Sequence, residues 1–183
     1  MKQTMAVYPG TFDPMTKGHF DLICRSASLF DHVIVAVAGL SPKPTRLFGI
    51  EERVEMVREC LTAQQLDNVE VRILDCLLID FCRRNNVRAV VRGLRAYSDF
   101  EYEFQMALTN RQLAPEIETL FLMPSEEHSY ITASTVREVA RYGGNTSHFV
   151  PETVEQHLHA FLKAHPEQHI QGGAVGNTGA FDR

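Results

Sequence analysis

A chain of 183 residues with 44% hydrophobic content suits one compact domain, able to bury roughly 70% of its unfolded surface. A formal net charge of −5 argues against a general nucleic-acid binder, which needs a broad basic face. No run reaches the ~18 apolar residues of a membrane span, and Pro9 and Asp13 interrupt any secretory core, so a cytoplasmic protein without a membrane partner is expected.

In chain order, MAVY (5–8) reads as a strand that runs into an unusual turn, YPGTFDPMTKGH (8–19), before a helix over about 18–29. Gly10 offers backbone close approach to a phosphate, and the helix start offers unsatisfied N–H donors and a positive dipole end. The spacing matches neither GxGxxG nor the Walker pattern. VIVAVA (33–38) is a second strand, and LSPKPTRL (40–47) reads as a surface loop carrying Lys43. A helix over about 50–64 follows, with Glu51 and Glu52 in its first turn, where the dipole favours them. Next come VEVRI (69–73) as a strand, a helix over about 77–86, and AVVR (89–92) as a strand. The stretch RAVVRGLR (88–95) carries three of its arginines in eight residues without an acid, which points to a small anionic ligand.

A helix over about 99–113 places Phe100, Phe104, Ala107 and Leu108 on one stripe, expected to pack on the sheet. TLFLM (119–123) reads as a fifth strand, followed by helices over about 133–142 and 151–164, the last opened by Pro151. This alternation predicts an α/β fold, a Rossmann-like, doubly wound, parallel five-stranded sheet in a single domain (1–165) with C-terminal helices. Residues 166–183, with four glycines, are expected to form a flexible tail. Cys24, Cys60, Cys76 and Cys82 form no CxxC pair and read as reduced thiols. The spacing of His157, His159, His165 and His169 matches no metal site.

In open α/β sheets ligands bind beyond the carboxyl ends of the strands at the switch point, which is where residues 8–19 fall. Thr16-Lys17-Gly18-His19 is similar to the (H/T)xGH signature of the cytidylyltransferase-like nucleotidyltransferase superfamily, and ITASTVR (131–137) resembles its second signature, close to ISSTxxR. Together with EERVEMV (51–57), VVRGLRAYSDFEYEFQMALTNRQL (90–113) and FLMPSEEHSYITAS (121–134), the chain from about 5 to 162 resembles the bacterial phosphopantetheine adenylyltransferase family.

That resemblance implies transfer of AMP from ATP to 4′-phosphopantetheine, giving dephospho-coenzyme A and pyrophosphate in coenzyme A biosynthesis. The transfer is in-line, without a covalent enzyme intermediate, and Mg²⁺ travels with the ATP phosphates rather than on protein side chains. A phosphomonoester with a second pKa near ~6 is largely dianionic at neutral pH, so no general base is required. Positioning and charge neutralisation then supply most of the catalysis.

Carried over residue by residue, Thr11 and His19 contact the reacting phosphates, with His19 stabilising the transition state. Lys43 and Arg92 hold the acceptor, which Thr11 and Leu78 help to place. ATP falls to Thr11, Phe12, His19, Gly93, Leu94, Arg95, Glu103 and the run His128, Ser129, Tyr130, Ile131, Thr132, Ala133 and Ser134. Thr132 and Ser134 suit the leaving pyrophosphate. The family also implies a homohexamer and feedback by coenzyme A. Three positions depart from its pattern: Ala133 where serine is usual, His128 where a large aromatic is common, and DCLLIDFC (75–82) at the pantetheine side. The other readings weighed are a nucleotidyltransferase acting on nicotinate or nicotinamide mononucleotide or with CTP, and a non-catalytic nucleotide-binding regulator.

Overall fold

The computed structural model describes residues 3–39, 46–95 and 97–168. Lys43 and residues 169–183 lie outside them. The elements are β1 (Met5–Gly10), α1 (Lys17–Leu29), β2 (His32–Ala38), α2 (Ile50–Ala63), β3 (Val69–Leu74), α3 (Leu78–Arg84), β4 (Ala89–Gly93), α4 (Tyr97–Leu113), β5 (Glu118–Leu122), α5 (Ala133–Arg141) and α6 (Glu152–Ala164). Short 3-10 turns cover Glu126–His128 and Pro166–Gln168, so the first three residues of the expected tail are regular.

The strands pair in parallel in the order β3-β2-β1-β4-β5. The order reverses at β1, which pairs with β2 on one side and β4 on the other. Central strands rich in Val, Ile and Ala are buried on both faces, as parallel strands between helical layers must be. Period-2 alternation divides them. Ala6, Tyr8, Val33, Val35 and Val37 face a core completed by α1, α2, α5 and α6. Val7, Ile34, Ala36 and Val90 face a smaller core built with Ile79, Phe81 and Cys82 of α3.

Helix α4 reverses one sequence-based expectation. Its apolar stripe points outward: Phe100, Phe104 and Leu108 are 47%, 48% and 48% exposed, with the two phenyl rings stacked on each other. Among its described side chains, the buried ones are the polar Glu103 and Asn110. The inward face has to balance an arginine on β4, described below, so polarity rather than apolar periodicity decides which side faces in.

Close packing also sets a glycine. A Cβ on Gly93 would stand 2.4 Å from Cδ1 of Leu22, itself buried in α1. Gly93→Ala should therefore destabilise the fold by about 1–3 kcal/mol, read as a lower thermal midpoint. A melt equal to the parent's would mean that Leu22 moves aside freely.

All four cysteines are free. Cys60 and Cys82 are buried, and burial pushes their thiols up to about 12 and about 11. Burial raises Cys24 and Cys76 as well. Of the C-terminal histidines, His157 Nε2 lies 2.8 Å from Glu59, joining α6 to α2. His165 Nδ1 lies 3.1 Å from Glu167.

Candidate active site

A cleft of about 510 Å³ opens beyond the carboxyl ends of β1 and β4, where the strand order reverses. Of the residues expected to act, Thr11, Phe12, His19, Leu78, Arg92, Gly93, Arg95, Glu103, Thr132, Ala133 and Ser134 line it. Segments far apart in sequence thus meet in one place because each follows or faces a strand end.

The histidine is oriented by its own helix cap. Thr16 is the N-cap of α1, its hydroxyl accepting the His19 backbone N–H at 3.2 Å. In return the Thr16 backbone N–H donates to His19 Nδ1 at 3.1 Å, and the Thr16 hydroxyl lies 3.0 Å from the same nitrogen. A backbone N–H can only donate, so Nδ1 is an acceptor and the ring proton of the neutral imidazole sits on Nε2. Burial first, then the positive charges of Arg95 and Arg92, lower the His19 pKa to about 4. At neutral pH the ring is an uncharged Nε2–H donor. It is not a base.

This cap changes the account of the helix start. The Lys17 N–H donates to the Phe149 carbonyl at 2.9 Å and the His19 N–H to Thr16. Those two donors, expected to face an anion, are already engaged. Gly10, which lines the cleft, also has a packing reason to be glycine. A Cβ there would stand 2.7 Å from the Phe12 ring, so the missing side chain makes room for a phenyl group. Phe12 itself adopts φ 49°, a left-handed conformation that costs a bulky residue of order 1–3 kcal/mol. Its buried ring meets Tyr8 and His19 edge-on, with centroids 5.7 and 5.3 Å away.

Arg92 at the end of β4 donates from Nε to Glu103 Oε2 at 2.7 Å and from Nη2 to the other carboxylate oxygen, a bidentate pair across to α4. Its Nη1 reaches the Pro9 carbonyl at 3.2 Å, which ties β4 to β1. Glu103 thus balances Arg92 in this structure. Arg95 Nη1 donates to the Ile131 carbonyl at 3.2 Å, joining the RGLR stretch to the start of α5. There Thr132 caps the helix, its hydroxyl accepting the Thr135 N–H at 3.0 Å.

Leu94, His128, Ser129, Tyr130 and Ile131 do not line the cleft. Ile131 is buried, and Tyr130 is exposed. His128 backs onto α1: its carbonyl lies 3.1 Å from where a Cβ on Gly18 would stand. Its Nδ1 is buried with no hydrogen-bond partner among the described residues.

Sequence reasoning missed several wall residues. Tyr102, Met106 and Asn110 accompany Glu103 along α4; Met106 and Asn110, three and seven residues on, follow the helical repeat from Glu103, whereas Tyr102 is its immediate neighbour and spacing does not single it out. Arg137, the last letter of ITASTVR, also lines the cleft and donates to the Asp13 carbonyl at 2.6 Å. The buried Asp13 carboxylate accepts N–H bonds from Leu47, at 3.0 and 3.2 Å, and from Phe48, at 2.9 Å. Nothing in the local sequence shows that pairing.

A cleft at the switch point, walled by cations, hydroxyls and an oriented imidazole, is the arrangement of a nucleotidyltransferase site. The cytidylyltransferase-like family model matches residues 7–139, and the chain belongs to that family. It is 56% identical to a phosphopantetheine adenylyltransferase of Bordetella avium (strain 197N) over 164 residues, 89% of this chain and 96% of that protein. It is 52% identical to one of Bordetella pertussis (strain Tohama I) over 171 residues, 93% and 99% of the two chains. Within the larger family, its branch is therefore that of the phosphopantetheine adenylyltransferases. The same fold occurs in a bifunctional NMN adenylyltransferase/ADP ribose pyrophosphatase of Francisella tularensis, with a TM-score of 0.67 at 18% identity. That match covers 88% of this chain and 50% of the other.

Proposed function

We propose that the protein transfers the adenylyl group of ATP to the phosphate of 4′-phosphopantetheine, releasing pyrophosphate and forming dephospho-coenzyme A. The observation that carries this reading is the fixed Nε2–H tautomer of a neutral His19 in a cleft shared with Arg92 and Arg95. Such a ring can donate to the charge that builds on a phosphoryl oxygen. The carboxylates of the cleft support the same reading. Asp13 is held by Leu47, Phe48 and Arg137, and Glu103 by Arg92, so neither is placed as a general base. A phosphate nucleophile, already ionised, fits that arrangement. Thr11, Phe12, Thr132 and Ser134 stand where they can receive the nucleotide phosphates, and Leu78 and Arg92 are suited to the acceptor.

Mg²⁺ fits as a partner of the nucleotide rather than as a resident ion. The donor set of the cleft, with its arginines, hydroxyls and neutral imidazole, suits anions. When bound with ATP, the ion would add positive charge at the phosphates. Coenzyme A carries the adenylyl and the phosphopantetheine portions in one molecule, which makes competition for this cleft a natural form of feedback.

An oligomer belongs to the same proposal. Phe100, Phe104 and Leu108 of α4 and Leu120 of the edge strand β5 leave apolar surface exposed, as chains that assemble do. A homohexamer is the expected assembly, and light scattering returning a monomer would contradict it.

The reaction test is pyrophosphate release from ATP on adding 4′-phosphopantetheine, with Mg²⁺ present and the protein folded. Absence of release sinks the proposal. Release driven instead by nicotinate or nicotinamide mononucleotide would transfer it to the second substrate class.

A further inference from the structure

Among the buried charged groups, Arg53 of α2 has no part in the site described so far. It is 0% exposed and makes three hydrogen bonds to backbone carbonyls of three different segments. Nη1 donates to Thr11 at 2.6 Å and to Ala38 at 3.0 Å, and Nε donates to Gly49 at 3.3 Å. These segments are the turn after β1, the end of β2 and the start of α2, so one guanidinium gathers the rim of the sheet behind the cleft. Its Nη2 is buried with no hydrogen-bond partner among the described residues.

We propose that Arg53 is a positioning residue for adenylyl transfer, which holds the Thr11–Phe12 peptide so that its N–H faces the reacting phosphates. The inference rests on the function proposed above. The Thr11 carbonyl and the Phe12 N–H belong to one planar trans peptide and point in opposite directions. Arg53 draws the carbonyl into the protein interior, so the Phe12 N–H is turned the other way, towards the cleft that Thr11 and Phe12 line. Phe12 sits at φ 49°, a conformation that a bulky residue leaves unless its neighbours hold it. The short bond from Arg53 to the adjoining carbonyl is such a hold. The choice of residue has a second effect. A neutral donor could also reach a carbonyl, but a guanidinium leaves a buried positive charge behind a site built for anions.

The test uses Arg53→Lys, which keeps the charge but has one nitrogen in place of the planar fork whose Nε and Nη1 reach the three carbonyls, and Arg53→Met, which keeps the apolar stem. Turnover per folded molecule should fall by roughly 10–100-fold in both, as expected for a misplaced reacting group, while the calorimetric affinity for ATP stays within about three-fold. A purely structural residue would lower the folded fraction and leave turnover per folded molecule unchanged, and that result in either variant overturns the inference. An ATP affinity that falls as far as turnover also overturns it. If neither variant folds, the Phe12 amide signal of the parent protein decides: it should shift when ATP is added, and a constant signal rejects the positioning role. A parent protein that binds ATP but releases no pyrophosphate fails the function proposal. An active parent matched by an equally active Arg53→Lys protein fails only this inference.

Discussion

Replacing His19 by alanine should lower turnover by roughly 10²–10³-fold and leave ATP affinity within a few-fold, because the lost donor acts on charge that appears only in the transition state. The cap geometry leads to that expectation. Thr16 occupies Nδ1, so the ring presents a proton at Nε2 and has no basic nitrogen facing the cleft. The pH profile separates donor from base. With its pKa lowered to about 4, free His19 is uncharged across the working range, so the acid limb of kcat/KM should follow the acceptor phosphate at ~6. The alanine variant should keep that limb at a lower rate. A limb that vanishes with His19 would reassign it as the titrating group. Stability carries the same signature. Between the unfolded value of 6.5 and about 4, the unfolded chain binds the proton and the folded one does not. Stability should therefore fall as pH drops through that window, and the alanine variant should lose this component of the slope in urea melts.

Asp13→Ala should cost the fold about 3 kcal/mol or more, because the buried N–H groups of Leu47 and Phe48 lose their acceptor. For a chain of this size that corresponds to a thermal midpoint lower by roughly 6–12 °C. Activity should fall further than stability, since the lost carboxylate also lies 3.8 Å from Arg137, a residue of the cleft wall, which keeps only its bond to the backbone carbonyl of position 13. Asp13→Asn keeps one acceptor oxygen and should lie between the two. Equal melts for the alanine variant and the parent would show that the carboxylate holds neither amide.

The sequence made the sheet legible for a plain reason: central parallel strands must be apolar on both faces, so VIVAVA can be little else. The helices followed from their periodicity to within a few residues at each end. Helix α4 was read on the wrong face because periodicity reports where apolar side chains cluster, not what they cluster against. Its inward side is set by Arg92, eleven residues before Glu103 in the chain. Within the site, the residues around His19 were legible because they belong to one turn. Asp13, Arg53 and Arg137 were not, since their bonds reach across 34, 42 and 124 positions and an isolated charge carries no mark of its partner. At Gly10 a second cause was hidden, as its neighbour's ring could not be seen without the left-handed turn of Phe12.

The four cysteines have a bearing on the chemistry of the acceptor. The proposed substrate ends in a thiol, and thiol–disulfide exchange needs a thiolate on one partner. Burial raises every cysteine pKa in the chain, with Cys60 at about 12 and Cys82 at about 11, so almost none of these sulfurs is ionised at neutral pH. Oxidised forms of the acceptor would therefore attach to the protein only slowly. Mass spectrometry after incubation with pantethine should show an unmodified chain.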